Sequence, residues 1–267
     1  SMYLLEIDKI YEGDCLDLMP KIDNNSIDLT VTSPPYDNLR TYNGYKFDFV
    51  PTAKELYRIT KPGGVVVWVV GDATINGSET GTSFRQALGF MDAGFKLHDT
   101  MIWEKPTFTA TGALKVRYAQ VFEYMFVLCK GKLKTFNPIK DRQGKGPQKI
   151  HGSIRQSDNS TKKLSNQGKI YGVGPCQRYN IWKVAQETSK SIHPARFPEL
   201  LASDHIISWS NPGDLILDPM CGSGTTCKMA TKNDRRFIGI DVSGEYCEIA
   251  RNRIASIPKK LDSFCKE

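Results

Sequence analysis

Residues 215–241 constrain the fold of this chain more than any other segment. A short apolar run, Leu215-Ile216-Leu217, ends in Asp218 and passes into a glycine turn that closes at Gly224. The spacing predicts a helix over residues 225–232, and a second apolar run at 237–241 ends in Asp241. Strand, tight turn, helix and strand in so short a span form a crossover unit whose two strands pair in parallel. The alternation extends in both directions. Further strands are predicted at 27–32, 65–70, 97–103 and 121–129, and further helices at 52–60, 198–209 and 244–254. Lys61-Pro62-Gly63-Gly64 and Asn211-Pro212-Gly213 supply helix stops. The expected fold class is α/β, with a doubly wound, mostly parallel sheet.

Two places in this pattern carry chemistry. The first is the turn after residue 217. Asp241 follows Asp218 by 23 residues, close to the roughly 20 that separate a glycine turn from a carboxylate accepting ribose hydroxyls. A glycine turn at a helix start also lets backbone approach a ligand. The pair predicts a nucleoside-binding crevice. No G-x-x-x-x-G-K-[ST] loop and no full G-x-G-x-x-G fingerprint occurs, so nucleoside triphosphate hydrolysis lacks its phosphate cradle. The second place is Ser33-Pro34-Pro35-Tyr36, directly after the predicted strand 27–32. Consecutive prolines make an extended loop that offers carbonyls and no backbone N–H at those positions. Such a loop suits an amino group: the Ser33 hydroxyl and the Pro34 carbonyl can accept its two N–H bonds. Tyr36 adds an aromatic face on which a base can stack.

Composition excludes several other classes. The longest apolar run, residues 65–70, is far below the roughly 18 residues of a membrane span, and no secretory leader is read in the opening residues, so a cytoplasmic protein is expected. The seven cysteines are scattered and never spaced C-x-x-C, and the four histidines form no H-x-E or H-E-x-x-H pattern. Reduced thiols and no metal site are expected. The net charge of +7 is unevenly spread: residues 130–169 hold eleven Lys or Arg against Asp141 and Asp158, while the rest of the chain is slightly acidic. A solvated surface loop and a phosphate-binding patch both account for that run.

The joint order of motifs resembles the β-class amino-methyltransferases of DNA, the permuted group whose catalytic tetrapeptide precedes the cofactor loop. Thr32-Ser33-Pro34-Pro35-Tyr36 is similar to the family's catalytic motif. Asp218-Pro219-Met220-Cys221-Gly222-Ser223-Gly224-Thr225-Thr226 is similar to its cofactor loop, with Met220 where phenylalanine is usual. Gly13-Asp14-Cys15-Leu16-Asp17 resembles its early acidic motif, His193-Pro194-Ala195-Arg196-Phe197-Pro198 the segment that walls the cofactor, and Ile238-Gly239-Ile240-Asp241 the second acidic strand end.

The resemblance implies a site-specific DNA methyltransferase with S-adenosylmethionine as cofactor. It implies catalytic roles for Ser33, Pro34, Pro35 and Tyr36. It places the cofactor among Asp14, Cys15, His193, Phe197, Asp218, Pro219, Met220, Gly222, Ser223, Gly224, Thr225 and Asp241, with Asp218 at the methionine end, Asp241 at the ribose and Asp14 at the adenine. Residues 1–129 are then the catalytic half, 130–185 a basic target-recognition insertion and 186–267 the cofactor-binding half. Double-stranded DNA is the implied partner, and a cognate restriction endonuclease and a homodimer are compatible with the family.

Serine before Pro-Pro-Tyr goes in that family mostly with cytosine N4, and aspartate mostly with adenine N6, so cytosine N4 is the expected target and adenine N6 the alternative. A cytosine C5 enzyme would need a nucleophilic cysteine after the cofactor loop; Pro175-Cys176-Gln177 lies before it. Protein-glutamine methyltransferases place the cofactor motif first and carry asparagine before the prolines. RNA is a further substrate class to weigh. A non-enzymatic DNA-binding module would explain the basic run and leave the acidic crevice and the Ser-Pro-Pro-Tyr loop without a purpose.

Overall fold

The structure is a computed structural model and describes residues 4–35, 47–108, 112–187 and 197–260. Among these the chain begins with β1 (Lys9–Glu12), α1 (Cys15–Leu18), β2 (Ile27–Thr32), α2 (Phe49–Ile59) and β3 (Thr60–Val70). A hairpin of β4 (Thr74–Ile75) and β5 (Ser78–Glu79) leads to α3 (Thr82–Asp92), β6 (Lys96–Glu104) and β7 (Phe122–Cys129). Six short strands follow: β8 (Lys140–Gln143), β9 (Gln148–Lys149), β10 (Ser153–Arg155), β11 (Thr161–Lys163), β12 (Ile170–Tyr171) and β13 (Pro175–Gln177). Then come β14 (Ile181–Lys183), α4 (Glu199–Trp209), β15 (Leu215–Asp218), α5 (Thr225–Lys232), β16 (Arg236–Asp241) and α6 (Gly244–Ala255).

Two units result, a larger one of Ser1–Asn137 with Asn180–Glu267 and a smaller one of Pro138–Tyr179. The larger holds an eight-stranded sheet in the order β1-β16-β15-β2-β3-β7-β6-β14. All its neighbours pair in parallel except those of β7, which runs against both β3 and β6. The doubly wound, mostly parallel sheet expected from the strand and helix alternation is present.

Two apolar clusters hold the sheet, one on each face. Leu201 and Ile206 of α4, Cys227 and Ala230 of α5, and Cys247 and Ala250 of α6 pack with Leu29, Val31 and Ile216. Ala53, Leu56 and Ile59 of α2, and Ala87 and Phe90 of α3, pack with Val66, Trp68, Val70 and Leu217. Both helices of the second cluster repeat their buried residues at three- and four-residue spacing, the mark of one apolar stripe. Removing the side chain of the fully buried Leu56 would cost about 2–5 kcal/mol. β2 is buried along its whole length, as a central parallel strand must be, and its Asp28 is held by Lys61 Nζ at 3.0 Å and by the Leu215 N–H at 2.9 Å.

The structure departs from the sequence reading in three places. Residues 61–64, read as a helix stop, also begin β3: the register to β2 jumps from Ile27↔Thr60 to Leu29↔Val65, and Gly63, at φ +83°, bonds the Lys130 carbonyl. The smaller unit is shorter than the basic segment 130–185. Asn137 N–H donates to the Ser208 carbonyl at 2.8 Å, and β14 joins the main sheet beside β6 with Trp182 buried. A count of lysines misses those few apolar residues. β1, α1 and α3 were not read from sequence: β1 and α1 have four residues each, and in α3 the exposed Phe84, Leu88 and Met91 blur the apolar stripe.

Candidate active site

The strand order reverses between β2 and β15. From β15 the chain crosses through α5 to β16, and from β2 it crosses through α2 to β3, on opposite faces of the sheet. In open α/β sheets ligands bind at the carboxyl ends of the strands beside such a switch point. The two sequence motifs meet there. Thr32, the last residue of β2, donates its hydroxyl to Asp218 Oδ1 at 2.7 Å, and Asp218 is the last residue of β15. Ser33 and Pro35 are half-buried and Pro34 is buried directly after this contact. Tyr36 and His193 lie outside the described residues.

The turn after β15 is built around its acids. Asp218 Oδ1 also accepts the Met220 N–H at 3.1 Å, and the Cys221 N–H donates to the Ile240 carbonyl at 2.8 Å. Gly222 and Gly224 have φ of +52° and +81°, the left-handed region that favours glycine. At Gly224 the need is also steric: a Cβ there would stand 2.5 Å from Ala250 Cβ on α6. Asp241, ending β16, accepts the Gly222 N–H at 2.9 Å and the Ser243 N–H at 2.9 Å, so the second acid holds the glycine turn from the side. β1 brings its own turn alongside, where Gly13 N–H donates to the Asp241 carbonyl at 2.9 Å. Asp14 caps α1 by accepting the Leu16 N–H at 2.9 Å.

The electrostatics follow from burial. Desolvation pushes the Asp218 carboxyl up to about 7, against the pull of its hydrogen bonds with Thr32, Met220 and Thr226, and Asp241 adds to the rise. Burial also raises Asp241, which the Ser243 and Gly222 N–H groups pull back. The buried thiols of Cys221 and Cys227 are pushed well above their ordinary range, so both are neutral packing groups. Cys15 is likewise buried in the apolar cluster. Pro219 is buried, Met220 packs on the edge of the second cluster, and Phe197 packs on the first with its ring 6.4 Å from Trp103.

Two residues that the motifs include without a role, Thr32 and Thr226, and one outside them, Arg253, take part as well. Thr32 and Thr226 tie β2 to the turn, the latter by donating to the Val31 carbonyl at 3.2 Å. Arg253, on α6, donates to the Ser223 carbonyl at 2.8 Å, to Ser223 Oγ at 3.1 Å and to Thr225 Oγ1 at 3.0 Å, while its other amino group meets Glu199 Oε1 at 3.0 Å. Thr32 and Thr226 lay inside the sequence motifs, but their partners did not show there. Arg253 lay outside them, and nothing local marks one arginine of an amphipathic helix.

A switch-point crevice with an acid-ended glycine turn, next to a Ser-Pro-Pro loop, defines an S-adenosylmethionine-dependent methyltransferase fold. Among solved structures the fold is shared with PvuII DNA methyltransferase (cytosine-N4-specific), at TM-score 0.69 and 21% identity over 99% of this chain and 90% of that one. It is shared too with a DNA modification methylase of Thermus thermophilus complexed with S-adenosyl-L-methionine, at TM-score 0.64 and 23% identity over 92% and 93%. Residues 27–252 match the N6/N4 methyltransferase family described as DNA methylase. The orphan methyltransferase M.BamHII of Bacillus amyloliquefaciens is 54% identical over 91% of this chain and 90% of its own length. The chain belongs to this family: it is a DNA methyltransferase of the amino-methylating group, with S-adenosylmethionine as its cofactor.

Proposed function

We propose that the protein methylates the exocyclic N4 of cytosine, flipped out of duplex DNA at a defined sequence. The observation that carries this reading is the hydrogen bond from Thr32 to Asp218, which fastens the Ser-Pro-Pro loop to the cofactor turn at the switch point. An amino group accepted by the Ser33 hydroxyl and the Pro34 carbonyl would then stand beside the cofactor crevice. The cofactor supplies an electrophilic methyl on sulfonium. Acceptors at Ser33 and Pro34 draw the two N–H bonds and favour a pyramidal nitrogen whose lone pair is free to attack. With the cofactor bound, transfer would exchange its S–CH3 bond for an N–CH3 bond, and the surplus proton on the nitrogen would pass to solvent. Duplex stacking hides the target atom, so the base must be extruded, and Tyr36 is proposed as the surface it stacks on.

For the cofactor, Asp218 is proposed at the methionine end, Asp241 at the ribose and Asp14 at the adenine, walled by His193 and Phe197. The residues fit: each carboxylate has lone pairs beyond the one or two backbone N–H bonds it accepts here. The turn of Gly222 and Gly224 brings backbone within reach. Cytosine over adenine rests on Ser33, a weaker acceptor than the carboxylate that would assist a less reactive amine. The name of PvuII DNA methyltransferase, cytosine-N4-specific, points the same way. The unit Pro138–Tyr179 is proposed to recognise the target sequence, and an endonuclease of matching specificity is the partner such a modification would oppose.

The test is nucleoside mass spectrometry of duplex DNA incubated with the protein and cofactor. N4-methyldeoxycytidine is the expected product. N6-methyldeoxyadenosine in its place would overturn the cytosine assignment and leave the methyltransferase standing.

A further inference from the structure

The smaller unit has a form its sequence did not suggest. β8 pairs antiparallel with β13, β9 with β12, and β10 with β11, each outer pair enclosing the next. Bonds between the stretches continue the ladder: Ile150 N–H to the Lys169 carbonyl at 2.9 Å, Gly168 N–H to the Ile150 carbonyl at 2.9 Å, and Leu164 N–H to the Gly152 carbonyl at 3.4 Å. The unit is thus one long two-stranded ribbon with its tip at residues 156–160. The tip is closed by Gln156 N–H to the Ser160 carbonyl at 2.7 Å, with Asn159 at φ +66°. Its acid, Asp158, accepts from Ser160 N–H and Oγ.

Every residue from 151 to 163 is exposed. A ribbon with both faces in water is of marginal stability by itself, and such a shape is ordinarily completed by what it binds. Across Pro138–Tyr179 nine Lys or Arg stand against Asp141 and Asp158, and Asp141 is already paired with Arg178. The partner is therefore polyanionic. Two strands about 4.8 Å apart, with their side chains, fill the roughly 12 Å major groove of B-form DNA, whereas the major groove of A-form RNA is too narrow to be read.

The register separates the two faces of the terminal hairpin. Ser153 lies opposite Lys163 and Arg155 opposite Thr161, so these four share one face; Ile154 and Lys162 share the other. Among the described residues the side chains of Arg155, Thr161, Lys162 and Lys163 make no hydrogen bond or ion pair. We propose that the β10–β11 hairpin enters the major groove with the face of Ser153, Arg155, Thr161 and Lys163 against base edges, Arg155 and Lys163 donating to guanine N7 and O6, and with Lys162 serving the phosphates. This rests on the reading of the smaller unit as the target-recognition element and names the face that reads.

The experiment first maps the methylated sequence on plasmid DNA with the unaltered protein, then measures single-turnover methylation on duplexes carrying each single-base change of that sequence, at several salt concentrations. Arg155→Ala and Lys163→Ala should each lose about tenfold or more of the discrimination at one base pair. Arg155→Lys should keep the salt dependence and lose less of the discrimination than Arg155→Ala, since it retains the charge and a donor but not the planar fork. Lys162→Ala should weaken binding evenly across sequences and lower the logarithmic salt slope by about one. All three side chains are exposed, so the fold is unaffected, and an unchanged circular dichroism spectrum checks this. Discrimination within twofold of the unaltered protein at every position in both Arg155→Ala and Lys163→Ala would overturn the proposal, as would a Lys162→Ala variant that relaxes specificity as much as they do. Failure of the unaltered protein to methylate duplex DNA at any defined sequence would strike instead the reading on which the proposal rests.

Discussion

Asp218 shows how much one residue can be asked to do. It ends β15, accepts the Thr32 hydroxyl and the Met220 N–H, and is buried, so its proton is retained up to about pH 7. In the unfolded chain the same carboxyl ionises near its ordinary 3.8. Between those values the folded protein holds one proton more, so stability falls as pH rises from about 4 to about 7 and then levels. A shift of about three units corresponds to on the order of 4 kcal/mol. Asp218→Asn keeps an acceptor for Thr32 and removes the buried charge. The cofactor-free variant should therefore gain thermal stability over the unaltered protein at pH 8 and gain little at pH 5, with cofactor affinity reduced. Melting temperatures of both proteins across that range check it. Parallel pH profiles would mean that Asp218 is no more protonated folded than unfolded.

At the scale of elements, the site depends on how closely α5 and α6 approach. Gly222 and Gly224 look alike in sequence and share positive φ, yet a Cβ at Gly222 meets nothing within 4 Å while one at Gly224 meets Ala250 Cβ at 2.5 Å. Gly222→Ala should cost only backbone strain, roughly 1 kcal/mol. Gly224→Ala should cost that and the forced separation of two packed helices, an overpacking penalty of about 1–3 kcal/mol more. Urea midpoints should rank the variants in that order, and equal midpoints would show that the helices yield without resistance. The glycine turn itself was legible in the sequence. Which of its glycines is pressed against a neighbour was not, because Ala250 lies a helix, a strand and half of a second helix further on.

Over the whole molecule, the two units differ in what holds each together. Neither apolar cluster of the larger unit contains a residue of Pro138–Tyr179. The ends of the ribbon adjoin, with Arg178 N–H donating to the Ile139 carbonyl at 2.8 Å. Replacing residues 140–177 by a short glycine-serine linker should therefore leave a cooperatively folding protein that binds S-adenosylmethionine with affinity near that of the full chain and loses sequence-selective DNA binding. Calorimetric titration and a competition assay between specific and random duplexes measure the two outcomes. Loss of cofactor binding in a folded variant would show that the smaller unit contributes to the crevice.

The sequence by itself determined the sheet's class, the central strands and the motifs at their ends, because buried parallel strands are written as unbroken apolar runs and a glycine turn between acids is a local signal. It also located the basic charge. Only the tertiary structure decided that Thr32 meets Asp218, that Arg253 grips the turn at Ser223 and Thr225, and that β14 belongs to the sheet. Each of these joins residues far apart in the chain, where no periodicity relates them. The ribbon's form belongs with them: its strands are too short and too polar to show alternation, and their pairing became visible only through the backbone hydrogen bonds that close it.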